Sequence, residues 1–372
     1  MHEFEPMRDK SLCEHGNFSK SCSKCKATTV LGIQREDLSG DTRRERGKRN
    51  VRYEKDGARM IAKFIDRQPE GSDNIARLAR EKRLLDVLAD TGVVPKVIDY
   101  KEYGNDRARL LLEEIPGTSI DHMPRKERGD FLKRQGETVV RETAQSLQKI
   151  RDQGVYVVDV NEGTFMFNEA GDGHLETRLV DFELGYDPEG GSVDELKDSF
   201  SFVKKNDFGF ALAAQEGEPL TEDTALLAKC EMHRWARMME RVFIARYAKV
   251  EIPHEQSEEY AAYRARIRPI VEKTLRDRAV NSFTRIQKGQ KDADRRYLDM
   301  GEDGYVEWSL KHGLEAGIDL QCVKFTFPQL CRANGVTLSE KSMDFIAKCL
   351  SLDIEERPSS FQEFINGFEQ AE

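Results

Sequence analysis

The sequence predicts an α+β protein in which a small antiparallel sheet is followed by a mainly helical region. Two segments with alternating apolar residues, 50–54 and 58–65, flank Asp56-Gly57, and an Asp-Gly pair in that setting favours a two-residue hairpin. Residues 129–153 instead carry apolar residues at helical spacing. These observations together predict two lobes, a sheet lobe and then a helical lobe.

The elements of the sheet lobe are predicted in the order strand, strand, strand, helix, strand, strand. Residues 27–33 are rich in β-branched and apolar types and predict the first strand, ahead of the two hairpin strands. A helix follows, with Ser72 or Asp73 as its N-cap. The apolar segments 93–100 and 107–115 predict the last two strands.

Two short apolar segments interrupt the predicted helices of the second lobe, and each carries an aspartate at the end of a short strand. The two aspartates are Asp159 and Asp181. Residues 216–300 are charged and poor in glycine and proline, which predicts a charged helical insert. Two further helices are predicted within 339–370.

The composition excludes several classes of protein. The chain has 372 residues, 59 Lys+Arg against 68 Asp+Glu, a net charge of −9 and 38% hydrophobic residues, enough to build cores. Its apolar runs, such as 110–112, are far shorter than the about 20 residues of a membrane-spanning helix. The N-terminus lacks the regions of a signal peptide. We expect a soluble, cytoplasmic protein without a membrane span.

The N-terminal cysteines predict a metal site. A C-x-H pattern, a six-residue spacer and a C-x-x-C pattern together supply four ligands: Cys13, His15, Cys22 and Cys25. Four Cys and His ligands fill the tetrahedral coordination of zinc, so we expect a structural Zn²⁺ whose binding folds residues 1–27 into a zinc knuckle. The alternative is a disordered tail in which these side chains share no role.

Six features occur in order along the chain and together resemble the protein-kinase-like superfamily. They are Lys63 on the third strand, Glu81 on the next helix, the hinge-like segment 112–117, Asp159, the triplet Asp181-Phe182-Glu183 and the C-terminal segment 349–359. That last segment resembles its counterpart in protein kinases, including the buried arginine, here Arg357. The resemblance implies a bilobal domain over 28–372, with a sheet lobe over about 28–115 and a helical lobe over about 116–372.

The resemblance also implies how a nucleotide would be bound. Lys63 would contact the α- and β-phosphates of ATP and would itself be held by Glu81. The hinge-like segment places Glu113 and Ile115 among the cofactor-binding residues. Phosphoryl transfer depends mainly on positioning and charge neutralisation, and a strand lysine with a carboxylate partner suits that need. Singly, such residues are also common on protein surfaces.

The remaining implied roles concern the metal and the acceptor. Asp181 would bind Mg²⁺, and Asp159 would accept the proton of the acceptor hydroxyl or orient it. Thr164 stands where kinases carry a second magnesium ligand, although a threonine hydroxyl is a poorer ligand than an amide carbonyl. Asn161 stands where a lysine is expected, and Glu183 replaces the glycine that usually follows the Asp-Phe pair.

Two basic stretches have no settled role. Residues 38–49 lie where a glycine-rich phosphate loop is expected, but they contain only Gly40 and Gly47, so their arginines and lysines either contact phosphates or remain in solvent. Residues 264–296 hold eleven Lys or Arg against four Asp or Glu. This second run is a candidate surface for RNA, an acidic partner or a phosphorylated substrate, and the alternative is a solvated helix face.

Three functions remain open. The leading hypothesis is an ATP- and magnesium-dependent phosphotransferase that acts on Ser and Thr hydroxyls of a protein substrate, which the C-terminal segment favours. The second is a pseudokinase that serves as a scaffold, favoured by Thr164, Asn161 and the missing glycine motif. The third is a small-molecule kinase of the aminoglycoside or choline kinase type, favoured by Glu183.

Overall fold

The computed structural model describes most of the chain. The described residues are 29–30, 33–34, 38–45, 48–65, 74–171, 173–204, 224–244, 258–287 and 295–369. The predicted zinc ligands Cys13, His15, Cys22 and Cys25 lie outside them, as does the predicted N-cap at 72–73. The zinc knuckle therefore stays a prediction.

The chain divides into two compact units. The first comprises Met1–His122, Lys149–Val157 and Gly163–Asp187, and the second comprises Met123–Gln148, Val158–Glu162 and Pro188–Glu372. All strands of the described residues belong to the first unit, whereas the second unit is helical. The predicted α+β class, with a small antiparallel sheet followed by helices, is confirmed.

A five-stranded antiparallel sheet forms the base of the first unit. The first seven strands are β1 (Thr29–Val30), β2 (Ile33–Gln34), β3 (Leu38–Glu45), β4 (Lys48–Lys55), β5 (Ala58–Ile65), β6 (Val97–Glu102) and β7 (Ala108–Glu113). The large sheet has the spatial order β3-β4-β5-β7-β6, and β1 pairs separately with β2. Its buried face includes Val51, Ala62, Phe64 and Leu111. Because β5 is paired on both sides, by β4 and by β7, the backbone of its residues is held in place.

The Asp-Gly hairpin joins β4 to β5 as predicted. Lys55 pairs with Ala58, so the turn has two residues. Asp56 has φ 53° and Gly57 has φ 78°. Two successive positive φ angles are what a type I′ turn requires, and this turn matches the twist of the flanking strands. The hairpin prediction is therefore confirmed.

Strand β3 was not predicted from the sequence. We expected a basic loop over 38–49, but residues 38–45 pair with β4, with a register irregularity between Ser39 and Arg43. Because β3 is an edge strand, it tolerates the charged residues that would be unfavourable in a central strand. The charged residues gave this segment no apolar alternation from which a strand could be predicted. The expectation of a loop was wrong for residues 38–45.

Helix α1 (Asn74–Val87) follows β5 and buries an apolar stripe. Leu78, Leu84 and Leu85 are buried and lie at the spacing expected for one helix face. A short 3-10 turn continues the chain to Gly92, whose φ of 72° is left-handed and ends the helical segment. The predicted helix is therefore present.

A second, three-stranded sheet also belongs to the first unit. Its strands are β8 (Thr118–Ser119), β9 (Phe165–Glu169) and β10 (Leu175–Leu179), in the order β10-β9-β8. The short strand predicted to end at Asp159 is reduced to one bridge between Tyr156 and Tyr186. The strand predicted before Asp181 is β10, which ends at Leu179.

Gly117 lies just before β8, at a position where the structure has no room for a side chain. Its φ is 112°, and a Cβ there would collide with the carbonyl oxygen of Phe167. We expect Gly117→Ala to lower the free energy of unfolding by about 3 kcal/mol, because strain and collision add. Gly104→Ala is the control: its φ is 69° but its Cβ would meet open space. Chemical denaturation that gives equal losses for both variants would contradict the collision.

Trp235 lies in the core of the second unit. The helices of the described residues after α1 are α2 (Arg125–Arg151), α3 (Val193–Lys204), α4 (Thr224–Phe243), α5 (Glu258–Gln287), α6 (Arg295–Asp299), α7 (Gly301–Gln321), α8 (Val323–Ala333), α9 (Glu340–Cys349) and α10 (Gln362–Glu369). Trp235 is fully buried, donates its indole N–H to Thr143 Oγ1 at 3.0 Å and packs edge-on against Phe361. Helix α4 lies within the predicted charged insert, yet it is a core helix.

No described helix has an apolar stretch suited to crossing a membrane.

The basic run at 264–296 lies partly on α5, where several arginines face carboxylates of the same unit. Arg264 pairs with Glu315 and Asp319. Arg268 also pairs with Glu315, at 2.6 Å. Arg266 pairs with Asp353 at 2.7 Å. These pairs neutralise part of the positive charge, and binding of RNA or another anionic partner at this run stays a prediction.

Candidate active site

Lys63 and Glu81 form a close ion pair in the first unit. Lys63 lies on the central strand β5, opposite Leu110 of β7, and Glu81 lies on α1. The Lys63 Nζ donates to Glu81 Oε1 at 2.7 Å and to Oε2 at 2.9 Å. The Lys63 side chain is 12% exposed and that of Glu81 is fully buried. The predicted pairing of these two side chains is present in the structure.

The surroundings keep Lys63 charged. Burial alone would lower the pKa of Lys63, but Glu81, Asp181 and Glu183 outweigh burial and raise this pKa above its ordinary value. Burial raises the pKa of Glu81, while Lys63 acts in the opposite direction. Neither charge would persist at such low exposure without the other. The charged form of Lys63 is therefore favoured by the three carboxylates around it.

Glu81→Gln tests the strength of this pair. Glutamine keeps the shape of the side chain but leaves a buried ammonium facing a neutral amide, so we expect the free energy of unfolding to fall by about 1–3 kcal/mol. Asp86→Asn is the matched control, since Asp86 is an exposed acid of the same helix that pairs with Lys82; its effect should stay within about 0.5 kcal/mol. Equal stability of Glu81→Gln and wild type in denaturant titration would contradict the prediction.

A tight turn after β10 brings Asp181 toward Lys63. Asp181 has φ 71°, an uncommon conformation for a residue with a side chain. The next residue, Phe182, is fully buried and donates its backbone N–H to Glu81 Oε1 at 3.2 Å. Asp181 Oδ1 lies 3.5 Å from Lys63 Nζ. The buried phenylalanine thus fixes the turn and leaves the aspartate exposed beside the ion pair.

Three carboxylates converge at this turn. Glu81, Asp181 and Glu183 each offer an oxygen, and these oxygens lie within 4.8 Å of one another. The side chains range from buried for Glu81 to exposed for Asp181. Mg²⁺ prefers oxygen ligands and usually takes one or two carboxylates together with substrate phosphates. The donor set therefore fits a hard divalent cation, and it includes Glu183, which we had not assigned to the site.

The hinge-like segment begins at the end of β7. Glu113 is the last residue of that strand, and its backbone N–H donates to the carbonyl oxygen of Lys96 at 2.9 Å. The Glu113 carboxylate pairs with Arg178 at 3.5 Å. Ile115 lies two residues further on and is 8% exposed. The roles of Glu113 and Ile115 in nucleotide binding stay predictions.

Thr164 is a buried member of the predicted site residues. Its side chain is buried, and its backbone carbonyl accepts the N–H of Val180 at 2.8 Å. This bond holds the segment before β9 against the end of β10. A role of Thr164 as a magnesium ligand stays a prediction.

Asp159 belongs to the second unit, where α4 supplies its partner. Arg234 Nη2 donates to Asp159 Oδ1 at 2.7 Å, and the amide of Asn161 donates to the backbone oxygen of Asp159 at 3.3 Å. Val158 and Val160 on either side are buried. No local pattern pointed to Arg234, because it lies 75 residues from Asp159 along the chain.

Comparison with known proteins identifies the family. The model described as "Phosphotransferase enzyme family" (APH) matches residues 42–269, which is more than half of the chain. The chain belongs to the phosphotransferase enzyme family. Among solved structures, the Cydia pomonella granulovirus kinase PK-1 is similar, with a TM-score of 0.45 and 13% identity over 89% of this chain and 93% of that chain. A search of curated proteins gave no match.

The matched region of this phosphotransferase contains the main predicted site residues. Lys63, Glu81, Asp159 and Asp181 all lie within 42–269. Phosphotransferases need groups that neutralise the charge of the transferred phosphoryl group and groups that position donor and acceptor. The family assignment supports the predicted membership of the protein-kinase-like superfamily, while the role of each residue stays a proposal.

Proposed function

We propose that the protein is an ATP- and magnesium-dependent phosphotransferase. The observation that supports the proposal best is the buried Lys63-Glu81 pair beside the carboxylates of Asp181 and Glu183. One fixed cation next to a group of hard oxygen ligands suits a polyphosphate bound together with a divalent metal. An ordinary surface ion pair would be neither so buried nor so close to two further acids.

Each residue of the site would have a role that follows from its charge. The Lys63 ammonium would neutralise the phosphates that accept charge as the terminal phosphoryl group leaves, and Glu81 would hold that ammonium in place. Asp181 and Glu183 would hold Mg²⁺, which when bound neutralises phosphate charge. Asp159 would orient the acceptor hydroxyl. The acceptor oxygen bonds to the terminal phosphorus, the bond from that phosphorus to ADP breaks, and the hydroxyl proton passes to Asp159 or solvent.

For the acceptor we propose Ser and Thr hydroxyls of a protein substrate. Support comes from the C-terminal segment, which resembles that of protein kinases. Arg357 is 3% exposed, and its Nε donates to the carbonyl oxygen of Ser351 at 2.6 Å. The predicted burial of Arg357 is present, and this supports the proposed resemblance of the segment to that of protein kinases.

A small hydroxylated molecule is the second candidate acceptor. Glu183 favours it, since an acidic residue at this position resembles small-molecule kinases. The match to a phosphotransferase family model over 42–269 is compatible with either acceptor. The two candidates differ in the product that an assay would detect.

The test is incubation of the purified full chain with Mg²⁺ and ATP labelled on the γ-phosphate. We expect ADP formation together with label on a general protein acceptor such as casein or myelin basic protein. Label recovered only on small amino- or hydroxyl-containing compounds would favour the second acceptor class. If calorimetry shows that ATP binds but no label is transferred to any acceptor, the proposed phosphotransferase activity is contradicted and the pseudokinase is favoured.

A further inference from the structure

Two arginines on one face of α4 hold the segment that carries Asp159. Arg234 and Arg241 are seven residues apart, which is about two helical turns, so they project from the same side of the helix. Arg234 binds Asp159, while Arg241 donates to Glu162 from Nε at 2.7 Å and from Nη2 at 3.3 Å. Both ends of the segment 159–162 are therefore fixed to one rigid helix by charge-assisted hydrogen bonds.

The two pairs differ in their exposure. The Arg234 side chain is 7% exposed and that of Asp159 is 27% exposed. Arg241 is more accessible than Arg234, at 23%, whereas Glu162 at 26% is about as accessible as Asp159. A guanidinium buried to the extent of Arg234 has few alternative conformations, and its hydrogen bond acts in a poorly solvated environment. The carboxylate of Asp159 therefore remains partly accessible while it is hydrogen-bonded to the buried Arg234.

The backbone around Asp159 leaves its side chain little freedom. Val158 is only 3% exposed and Val160 is fully buried, so the chain on both sides of Asp159 is anchored in the interior. The Asn161 amide binds the Asp159 carbonyl oxygen. With the backbone held in this way, the Arg234 contact to Asp159 Oδ1 at 2.7 Å restricts the orientation of the carboxylate.

We propose that Arg234 is a positioning residue for phosphoryl transfer, holding the Asp159 carboxylate in the orientation that receives the acceptor hydroxyl. The inference rests on the proposed function, because it assigns Arg234 a role through Asp159. An orienting group of this kind contributes to the rate of transfer and not to the binding of ATP, which in the proposed function depends on Lys63 and Asp181.

The experiment compares steady-state ADP formation by wild type and by variants of the full chain, with Mg²⁺, ATP and the acceptor found for wild type. We expect Arg234→Met to lower kcat by about 10- to 100-fold with an unchanged KM for ATP. Arg234→Lys keeps the charge but loses the planar donor geometry, so it should restore part of the rate. Arg237→Met is the matched control, because Arg237 lies on the same helix and pairs within it with Glu240 at 2.6 Å.

A double-mutant cycle separates positioning from a general structural role. If Arg234 acts through Asp159, then Arg234→Met causes no further loss of kcat in the Asp159→Asn background. Multiplicative losses in the double variant would overturn the inference, as would a wild-type kcat for Arg234→Met. Should Arg234→Met fail to fold by circular dichroism, Arg234→Lys takes its place in the cycle with the same two outcomes.

The failure of the inference can be told apart from failure of the proposed function. A wild-type chain that forms no ADP with any acceptor overturns the phosphotransfer proposal, and the inference falls with it. An active wild type whose Arg234 and Asp159 variants are independent overturns only the role of Arg234. An active wild type with coupled losses supports both.

Discussion

Replacing Lys63 with methionine is expected to lower the rate of phosphoryl transfer by about 100- to 1,000-fold. Methionine has a similar length and removes the ammonium that stabilises charge on the phosphates, and loss of one such group costs about that factor in other enzymes. The reason is geometric as well as electrostatic, since Lys63 Nζ is held within 3 Å of both oxygens of Glu81. The measurement is ADP formation at saturating ATP.

Lys82→Met provides the comparison for Lys63→Met. Lys82 lies on α1, is 40% exposed and pairs with Asp86 one turn away. Its removal should leave the rate unchanged, because an exposed pair of this kind contributes little. A Lys63→Met variant that is folded and transfers phosphate as fast as Lys82→Met would show that Lys63 does not act on the phosphates.

Asp181→Asn is expected to remove magnesium-dependent transfer almost completely, by about 1,000-fold or more, since a metal ion supplies several kcal/mol of charge stabilisation. Asparagine suits the test because it tolerates the left-handed backbone that Asp181 adopts at φ 71°, whereas alanine would add strain. The variant removes a charged ligand from the cluster and leaves the turn intact. The rate is measured over a magnesium titration.

Asp56→Asn is the matched control for Asp181→Asn. Asp56 also has a positive φ, of 53°, but it lies in the exposed turn between β4 and β5. The same chemical change in the same backbone conformation should leave the magnesium dependence unaltered. If Asp181→Asn keeps both the rate and the magnesium dependence of Asp56→Asn, the proposed metal site is misplaced.

Features set by local sequence were predictable. The Asp56-Gly57 hairpin follows from two residues whose side chains permit a positive φ. The strand position of Lys63 follows from alternating apolar neighbours. The buried state of Arg357 was expected from its resemblance to a kinase segment. In each case the determining interactions lie within a few residues of chain.

Features set by distant contacts were not predictable. Arg234 meets Asp159 only because α4 packs beside a segment 75 residues earlier, and nothing in either local sequence indicates the partner. Strand β3 is charged and forms because β4 offers it an edge. The positive run on α5 gave no hint of carboxylates such as Glu315 that face it. Packing, which sequence spacing does not encode, decides all three.

Glu81 has a consequence for how the first unit responds to disturbance. One carboxylate binds both the Lys63 ammonium and the backbone N–H of Phe182. The Glu81 side chain on α1 therefore contacts both strand β5 and the turn after β10. Displacement of α1 would therefore disturb both bonds. The Phe182 amide proton is thus a reporter of the ion pair, and its exchange with solvent follows the opening of the cluster.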